Sequence, residues 1–461
     1  MSDIGTPGSG EVSPAARYGS LALLTLLVTV SILDRQIISL MVEPMKRDLG
    51  VSDFEISLLQ GMAFGLLFAF LAMPMGFLVD RYSRRKIIFV GVTCWSVFAI
   101  ACGLARNYGQ LLLCRMGLGI GEATLGPASY SLIASLFKRH HLGLAISIYS
   151  TGSAIGAALS FSVGGILVDM LEKTDGLVLP VLGALKSWQA AFVLTGLPGL
   201  LLAGFVFLVK ERPRAPAAAE SAAAAPAGVA RLLRNHWRYY VCHFVGFGLI
   251  FMLAYGLVAW FPVYLIRVHH APVSVVGLIM AASTIVTTAG FVFSGWLSDR
   301  LYRGGMADAH LRYFAVASVL CAIVGGLCFG AQGTMVFAIC VYLVITFLQA
   351  LAGTAAGHLQ IATPARFRGR ISGIYLLVIN LMGITLGPSL VAFFTDYIFG
   401  DPLLVGRSLA LAYGAISPVA AALLWLGLRP ARIAVAHAIA SDGEGTADAP
   451  LAAASSAIEP A

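Results

Sequence analysis

The stretch GFLVDRYSRRK (residues 76–86) returns in altered form as GWLSDRLYRGG (residues 295–305). Gly76, Leu78, Asp80 and Arg81 align with Gly295, Leu297, Asp299 and Arg300 at a constant offset of 219 residues. Each copy follows the second long apolar run of its half of the chain. A repeat of that period, at the same topological place, indicates a duplicated unit of six helices.

Composition sets the solvent those units need. Of 461 residues, 59% are apolar and only 11% charged, whereas a soluble domain carries about 25% charged residues. So few charges cannot cover a water-soluble body of this size; lipid requires no such cover. Twelve spans of roughly 20 residues need about 240 apolar residues, which this composition supplies. The apolar runs read as spans over 18–41, 54–79, 86–105, 109–136, 141–169, 188–209, 239–266, 274–298, 311–331, 334–361, 368–395 and 408–428. The expected fold is an all-α membrane protein of 12 transmembrane helices in two six-helix lobes. The lobes are 18–209 and 239–428, joined by a linker 210–238 around the low-complexity stretch AAAESAAAAPAG. A tail 1–17 precedes them, and 429–461, rich in Ala, Ser and acid, reads as disordered. Small residues four apart, such as Gly152 and Gly156, allow close helix contact. Pro127, Pro364 and Pro388 mark kinks or helix ends.

Orientation follows from the basic residues. With the N-terminus inside, 21 of the 30 Lys and Arg fall in inner segments, seven in outer ones, and two (Arg35 and Arg115) within spans. Such a bias predicts a cell-membrane protein with both termini cytoplasmic. The net charge of +8 is then a topology signal. No basic run is interleaved with aromatics, so no nucleic-acid partner is expected. The seven cysteines all lie in apolar runs without CxxC or metal-ligand spacing, as small apolar fillers. No HExxH, GxSxG or GxxxxGK[ST] stretch is present, which argues against an enzyme, a metal or cofactor, and ATP drive.

The 76–86 stretch resembles the signature loop of the major facilitator superfamily, roughly G-x-L-x-D-R-x-G-R-R, with Ser83 where the family usually has Gly. Two further stretches narrow the likeness: SILDRQIISLMVEPMKRDLGVSDFEISLLQG (31–61) and RMGLGIGEATLGPASYSLIASLF (115–137). Together they resemble the spinster-like branch, whose members export lysophospholipids and sphingoid phosphates. The organic anion:cation symporters also carry the span-one DR pair and the span-four Glu. The resemblance implies two lobes around a central cavity, alternating access, a monomer, and a signature loop that latches the lobes. Gly76, Asp80, Arg81, Arg84, Asp299 and Arg300 are the latch candidates. Gly76 is expected at a close helix contact, and Asp80 at a helix end where it meets Arg84 or a neighbouring helix N-terminus. The span-five pattern lacks a Pro after Gly156 and so departs from the superfamily's antiporter motif.

Charges inside a membrane are costly, so each is a functional candidate. The spans hold Asp34, Arg35, Arg115 and Glu122. Asp34 lies about 24 Å and Glu122 about 21 Å from the inner end of their spans at helical rise, which puts both near the midplane. Arg115 shares a helix face with Glu122, seven residues on. Desolvation favours a carboxyl's protonated form and a nearby guanidinium its charged form. Arg35, moving toward an anionic substrate, would hand a proton site back to Asp34 or Glu122. The competing reading is a permanent salt-bridge cluster that orients helices. Tyr149, Tyr255 and Asn380 are further substrate candidates. They, like Gln349 and His358, serve equally as helix–helix hydrogen-bonding residues. His243 is expected near the membrane interface. The leading expectation is a proton-linked transporter of an anionic amphipathic lipid, such as a lysophospholipid or sphingoid phosphate. The alternatives are a proton-coupled symporter of a small organic anion and, from a different class, a non-transporting receptor or sensor.

Overall fold

The computed structural model describes residues 13–137, 139–174, 176–180, 183–211, 226–329 and 333–442. Among these, eleven helices are long and apolar enough to cross a membrane. The expected fourth span is the twelfth, split into two shorter helices. The apolar side chains face outward as a bilayer requires: Ile285 is 72% exposed and Leu113 67%. Helices satisfy their own backbone groups, and water cannot do so inside lipid.

Two compact units result. The first comprises residues up to Met45 and from Leu67 to Ala217. Its helices are α1 (Pro14–Gln36), the later part of a span ending at Arg81, α5 (Arg84–Leu104), α6 (Tyr108–Glu122), α7 (Leu125–Leu136), α8 (Arg139–Lys173) and α9 (Ser187–Ala203). Here α2 (Val42–Leu49), α3 (Asp53–Ser57) and α4 (Ala63–Arg81) precede α5 in chain order. A short antiparallel hairpin, β1 (Leu177–Leu179) with β2 (Gly183–Leu185), joins α8 to α9, an element the all-helical expectation did not contain.

Within this unit α1 packs along α8, and α5 against α6 and α9. The expected small-residue contact is present: a Cβ on Gly156 would stand 2.5 Å from the Thr29 carbonyl, and one on Gly152 2.6 Å from that of Thr25. Thr29 Oγ1 donates to the Gly152 carbonyl at 3.1 Å and Ser160 Oγ to that of Leu33 at 3.0 Å. These bonds set the rotation of α1 and hence the direction of its last turn, where Asp34 and Arg35 lie.

The second unit holds Lys46–Leu66 and the chain from Ala218. Its later helices are α10 (Pro226–Asn235), α11 (Trp237–His269), α12 (Val273–Arg303), α13 (Ala309–Cys328), α14 (Met335–Leu348), α15 (Ala352–Ile361), α16 (Arg368–Asn380), α17 (Gly387–Phe393), α18 (Val405–Leu426) and α19 (Leu428–Asp442). Helix α13 packs on α18, and α11 on α16, α17 and α18. Pro364 and Pro388 stand at helix starts, as expected.

Two features differ from the sequence reading. By position in the chain residues 46–66 fall in the first lobe, yet they pack with the C-terminal helices. Asp53, fully buried, pairs with Lys46 and receives Arg267 Nη1 at 2.8 Å and Nη2 at 3.1 Å. The Phe54 N–H donates to Asp396 at 2.6 Å. Gly61 lies so close to α16–α17 that a Cβ would stand 2.7 Å from the Ile384 carbonyl. The second difference is α19. Composition predicts disorder from Arg429, but Leu428, Ala431, Ala434, Val435 and Ala438 bury one face of a helix. Arg432 Nη2 reaches Asp308 at 2.9 Å, and Asp442 takes Arg368 Nη2 at 2.9 Å. Residues 443–461, residues 212–225 of the linker and the first twelve residues lie outside the described part.

Removing one partner of a buried ion pair costs about 3–5 kcal/mol. Arg267→Ala is therefore expected to lower the thermal unfolding midpoint of detergent-purified protein markedly. Lys46→Ala, at the more exposed partner, is expected to lower it less.

Candidate functional site

The four intramembrane charges do converge, all within the first unit. Helix α1 supplies Ser31, Asp34 and Arg35; α6 supplies Arg115 and Glu122; α9 supplies Thr195. Glu122 Oε2 lies 3.9 Å from Arg35 Nη1, beyond hydrogen-bond distance. Ser31, Arg35 and Arg115 surround the Glu122 carboxylate. Thr195, Glu122 and Arg115 surround that of Asp34. Asp34 is 1% exposed, Glu122 4% and Arg115 0%, whereas the Arg35 side chain keeps 16%. Two acids and two bases balance when all are ionised, which is what allows the cluster to exist away from water. Among the described residues, neither Asp34 oxygen nor Glu122 Oε1 has a hydrogen-bond partner.

Local structure explains how Glu122 comes to be there. Helix α6 stops at Glu122 and α7 begins at Leu125. Pro127 has no N–H to offer the Ala123 carbonyl four residues earlier, so the regular ladder fails at that turn. Thr124 closes the gap by donating its N–H (3.3 Å) and its Oγ1 (2.9 Å) to the Gly121 carbonyl. Gly121 permits the approach to α5, since a Cβ there would meet the Trp95 nitrogen at 2.5 Å. Discontinuous helices of this kind build the mid-depth sites of many membrane transporters. Pro127 signalled a kink; the placement of Glu122 on the last residue before it emerges only in the fold.

Arg115, a substrate candidate, joins the cluster but is wholly enclosed. The other candidates scatter. Tyr149 is 4% exposed and packs edge-on against Tyr130 at 5.4 Å. Tyr255 and Asn380 belong to the second unit and are half-buried there, Tyr255 against Phe251 at 5.2 Å. Gln349, at the break between α14 and α15, accepts from the Tyr413 hydroxyl at 3.1 Å. His358 and His243, the latter expected at the interface, are both 0% exposed and lie inside the second unit.

Among the described residues, a Cβ on Gly76 of the signature loop would meet nothing within 4 Å, so the close helix contact expected there is not among them. The Asp80 side chain lies outside the described part, and Arg81 is exposed. The loop is held by a residue the sequence reading missed, Glu211. Ser83 Oγ donates to Glu211 Oε2 at 2.6 Å, the Arg84 N–H to Oε1 at 2.8 Å, and Arg85 Nε to Oε2 at 3.3 Å. Glu211 thereby caps the N-terminus of α5, where unsatisfied N–H groups and the helix dipole favour a negative charge. Ser83, in the place of the family's Gly, adds a donor that Gly lacks. The one advance signal was an acid set directly after Lys210 in a basic segment. In the second copy, Arg300 lies over the Trp296 ring at 5.5 Å and Asp299 lies 3.7 Å from His310 Nε2.

Comparison with known proteins agrees with this architecture. The family model for the Major Facilitator Superfamily matches residues 24–388. The chain belongs to that superfamily. It is a multi-pass membrane protein and a transporter by family. The "Probable L-galactonate transporter" of Escherichia coli is 26% identical over 394 residues, 81% of this chain and 83% of that protein. An "MFS-type efflux pump" of Mycolicibacterium smegmatis is 25% identical over 92% of this chain and 95% of its own length. "Protein spinster homolog 3" of Danio rerio is 26% identical over 67% of this chain and 62% of its own. In fold, a bacterial homolog of the human lysosomal transporter Spinster, crystallised inward-facing and unoccupied, superposes with a TM-score of 0.74. It is 23% identical, over 94% of this chain and 96% of that one.

Burial pushes the Glu211 carboxyl up, but the bonds from Ser83, the Arg84 N–H and Arg85 outweigh it and hold the group below its ordinary value of 4.5. A depressed carboxyl contributes stability above its unfolded pKa and loses it as pH falls through the folded value. The stability gap between the native chain and Glu211→Gln should therefore be constant above about pH 5 and close progressively at lower pH, as measured by thermal unfolding across a pH series.

Proposed function

We propose that this chain is a proton-linked secondary transporter of an organic anion, in which Arg35 takes the anionic group and Glu122 with Asp34 takes the proton. One observation carries the reading: of the four charges gathered in the first unit, Arg35 alone keeps appreciable exposure while standing beside the buried Glu122. An anion that draws the guanidinium to itself removes a positive neighbour from Glu122. The charged form of that buried carboxyl is then disfavoured, and it accepts a proton. Departure of the anion returns Arg35 and releases the proton. Binding and protonation are linked through one guanidinium, with no enzyme chemistry and no cofactor. Arg115 stays enclosed and keeps the cluster from carrying net negative charge. The basic bias of the inner segments supports a cell-membrane protein with both termini cytoplasmic. The repeated loops around Asp80 and Asp299 latch the access states.

The substrate class with the broader support is a small organic anion of the sugar-acid kind. Relatives named for L-galactonate, D-galactonate and hexuronate align over more than four-fifths of the chain. A second reading, an anionic amphipathic lipid such as a lysophospholipid or sphingoid phosphate, is favoured by the GIGEA stretch at 119–123 and by the spinster relatives.

Reconstitution in proteoliposomes tests the proposal with a sugar acid and a lysophospholipid in parallel. A charged hydrogen bond is worth about 1.5–3 kcal/mol, so Arg35→Ala should weaken binding of the true substrate roughly 10- to 150-fold. Glu122→Gln should retain exchange but lose accumulation driven by a pH gradient. Retained proton-driven accumulation in the Asp34→Asn, Glu122→Gln double variant would overturn the coupling site. Whichever compound shows the Arg35-dependent signal decides the substrate class.

A further inference from the structure

Three imidazoles meet inside the second unit, in a place the transport proposal does not use. His310 stands at the start of α13, His358 on α15 and His243 on α11. Their side chains are 2%, 0% and 0% exposed. Ring centroids are 5.2 Å apart for His310 and His358, and 5.9 Å for His358 and His243, which stack at 18°. Such a row of titratable rings is an unusual filling for a helix bundle that has Leu and Phe to hand.

The hydrogen bonds define the protons. His243 Nε2 lies 3.2 Å from the Ala355 carbonyl and His358 Nε2 3.3 Å from that of Ala307. A carbonyl only accepts, so both Nε2 atoms carry hydrogen and both Nδ1 atoms are acceptors. His358 Nδ1 receives the Tyr239 hydroxyl at 3.1 Å. His243 Nδ1 and His310 Nδ1 are buried with no partner among the described residues. Neutral rings thus leave two buried nitrogens unsatisfied, at a cost for each. At the outer end of the row, His310 Nε2 points to Asp299 Oδ1 at 3.7 Å, and Asp299 is 68% exposed.

Helix α12 contributes Asp299 and Tyr302, α11 contributes Tyr239, and α16 contributes Tyr375, whose ring is 5.4 Å from His243. Asp308, the other nearby acid, is already taken by Arg312 and Arg432. Asp299 is therefore the carboxylate left to face an imidazolium.

We propose that His310, backed by His358 and His243, forms a second proton-binding site that locks Asp299, the C-terminal counterpart of Asp80, onto α13. A proton from water forms the second N–H bond of the His310 ring. Asp299 remains a carboxylate, and the 3.7 Å approach closes to a charge-assisted hydrogen bond. A second proton on the row would set two imidazolium ions side by side, so the row holds one. The loop between α12 and α13 is then ordered at acidic pH and released at neutral pH. This site is separate from Asp34 and Glu122, and its test does not depend on transport.

The test is amide hydrogen exchange by mass spectrometry on the full chain in nanodiscs, at roughly pH 8 and 5, the range in which imidazoles titrate. Rates are corrected for intrinsic exchange. The expected result is a gain in protection over residues 300–309 at the lower pH that is lost in His310→Gln and in Asp299→Asn. Asp299→Asn alters an exposed, isosteric side chain and guards against misfolding of the buried variant. Imidazole 15N spectra of the reconstituted protein should show one imidazolium signal fewer in His310→Gln than in the native chain at the lower pH. Loop protection that ignores pH, or a pH response that survives Asp299→Asn, would overturn the proposal.

Discussion

A charge removed from water must be met by an opposite charge or by donors that nothing else claims, and in this protein that constraint organises each unit. In the first, two carboxylates and two guanidiniums close on one another where α1, α6 and α9 meet. None of the four is tolerable there alone, since an unpaired buried ion costs several kcal/mol. In the second, the buried Asp53 is answered by Lys46 and Arg267, and Asp308 by Arg312 and Arg432. The helices approach closely enough for these pairings because small residues stand at the crossings, as at Gly121 against Trp95 and Gly156 against Thr29.

The two units share a plan and differ in chemistry. Each breaks a long span into two helices, after Glu122 in one and at Gln349 in the other. The first break carries an ionisable carboxylate beside a partly exposed arginine. The second carries a neutral amide bonded to Tyr413. The carboxylate–guanidinium cluster thus belongs to the first unit, while the imidazole row belongs to the second, with His310 beside Asp299 of the repeated loop. The signature loop follows the same division: Glu211 caps the helix after the first copy, and His310 faces the aspartate of the second.

Much of the architecture was legible in the chain itself. Asp34, Arg35, Arg115 and Glu122 stood out because an ionisable residue within an apolar run has no inexpensive explanation. Pro127 announced a kink by its missing donor. Other features had signals that composition masked. The residues that bury α19 follow helical spacing, yet the Ala-rich, acid-bearing character of the tail spoke for disorder. Glu211 and Thr195 carried too little local signal, because a single acid in a linker or a single hydroxyl in a span has many ordinary uses.

The sequence by itself determined the solvent, the number of spans, the duplication and the identity of the charges that had to be reconciled. Each of these is a property of a run of residues, or of two runs compared, and hydropathy accumulates along a run whatever the remainder of the chain does. Only the tertiary structure decided that Arg35 stands beside Glu122 and that Asp34 lies against Thr195. It alone joined Asp53 to Arg267 and gathered three histidines from three helices. Electrostatic and hydrogen-bond energies fall off over a few ångströms in space, and spacing along the sequence carries no record of which distant residues come within that range.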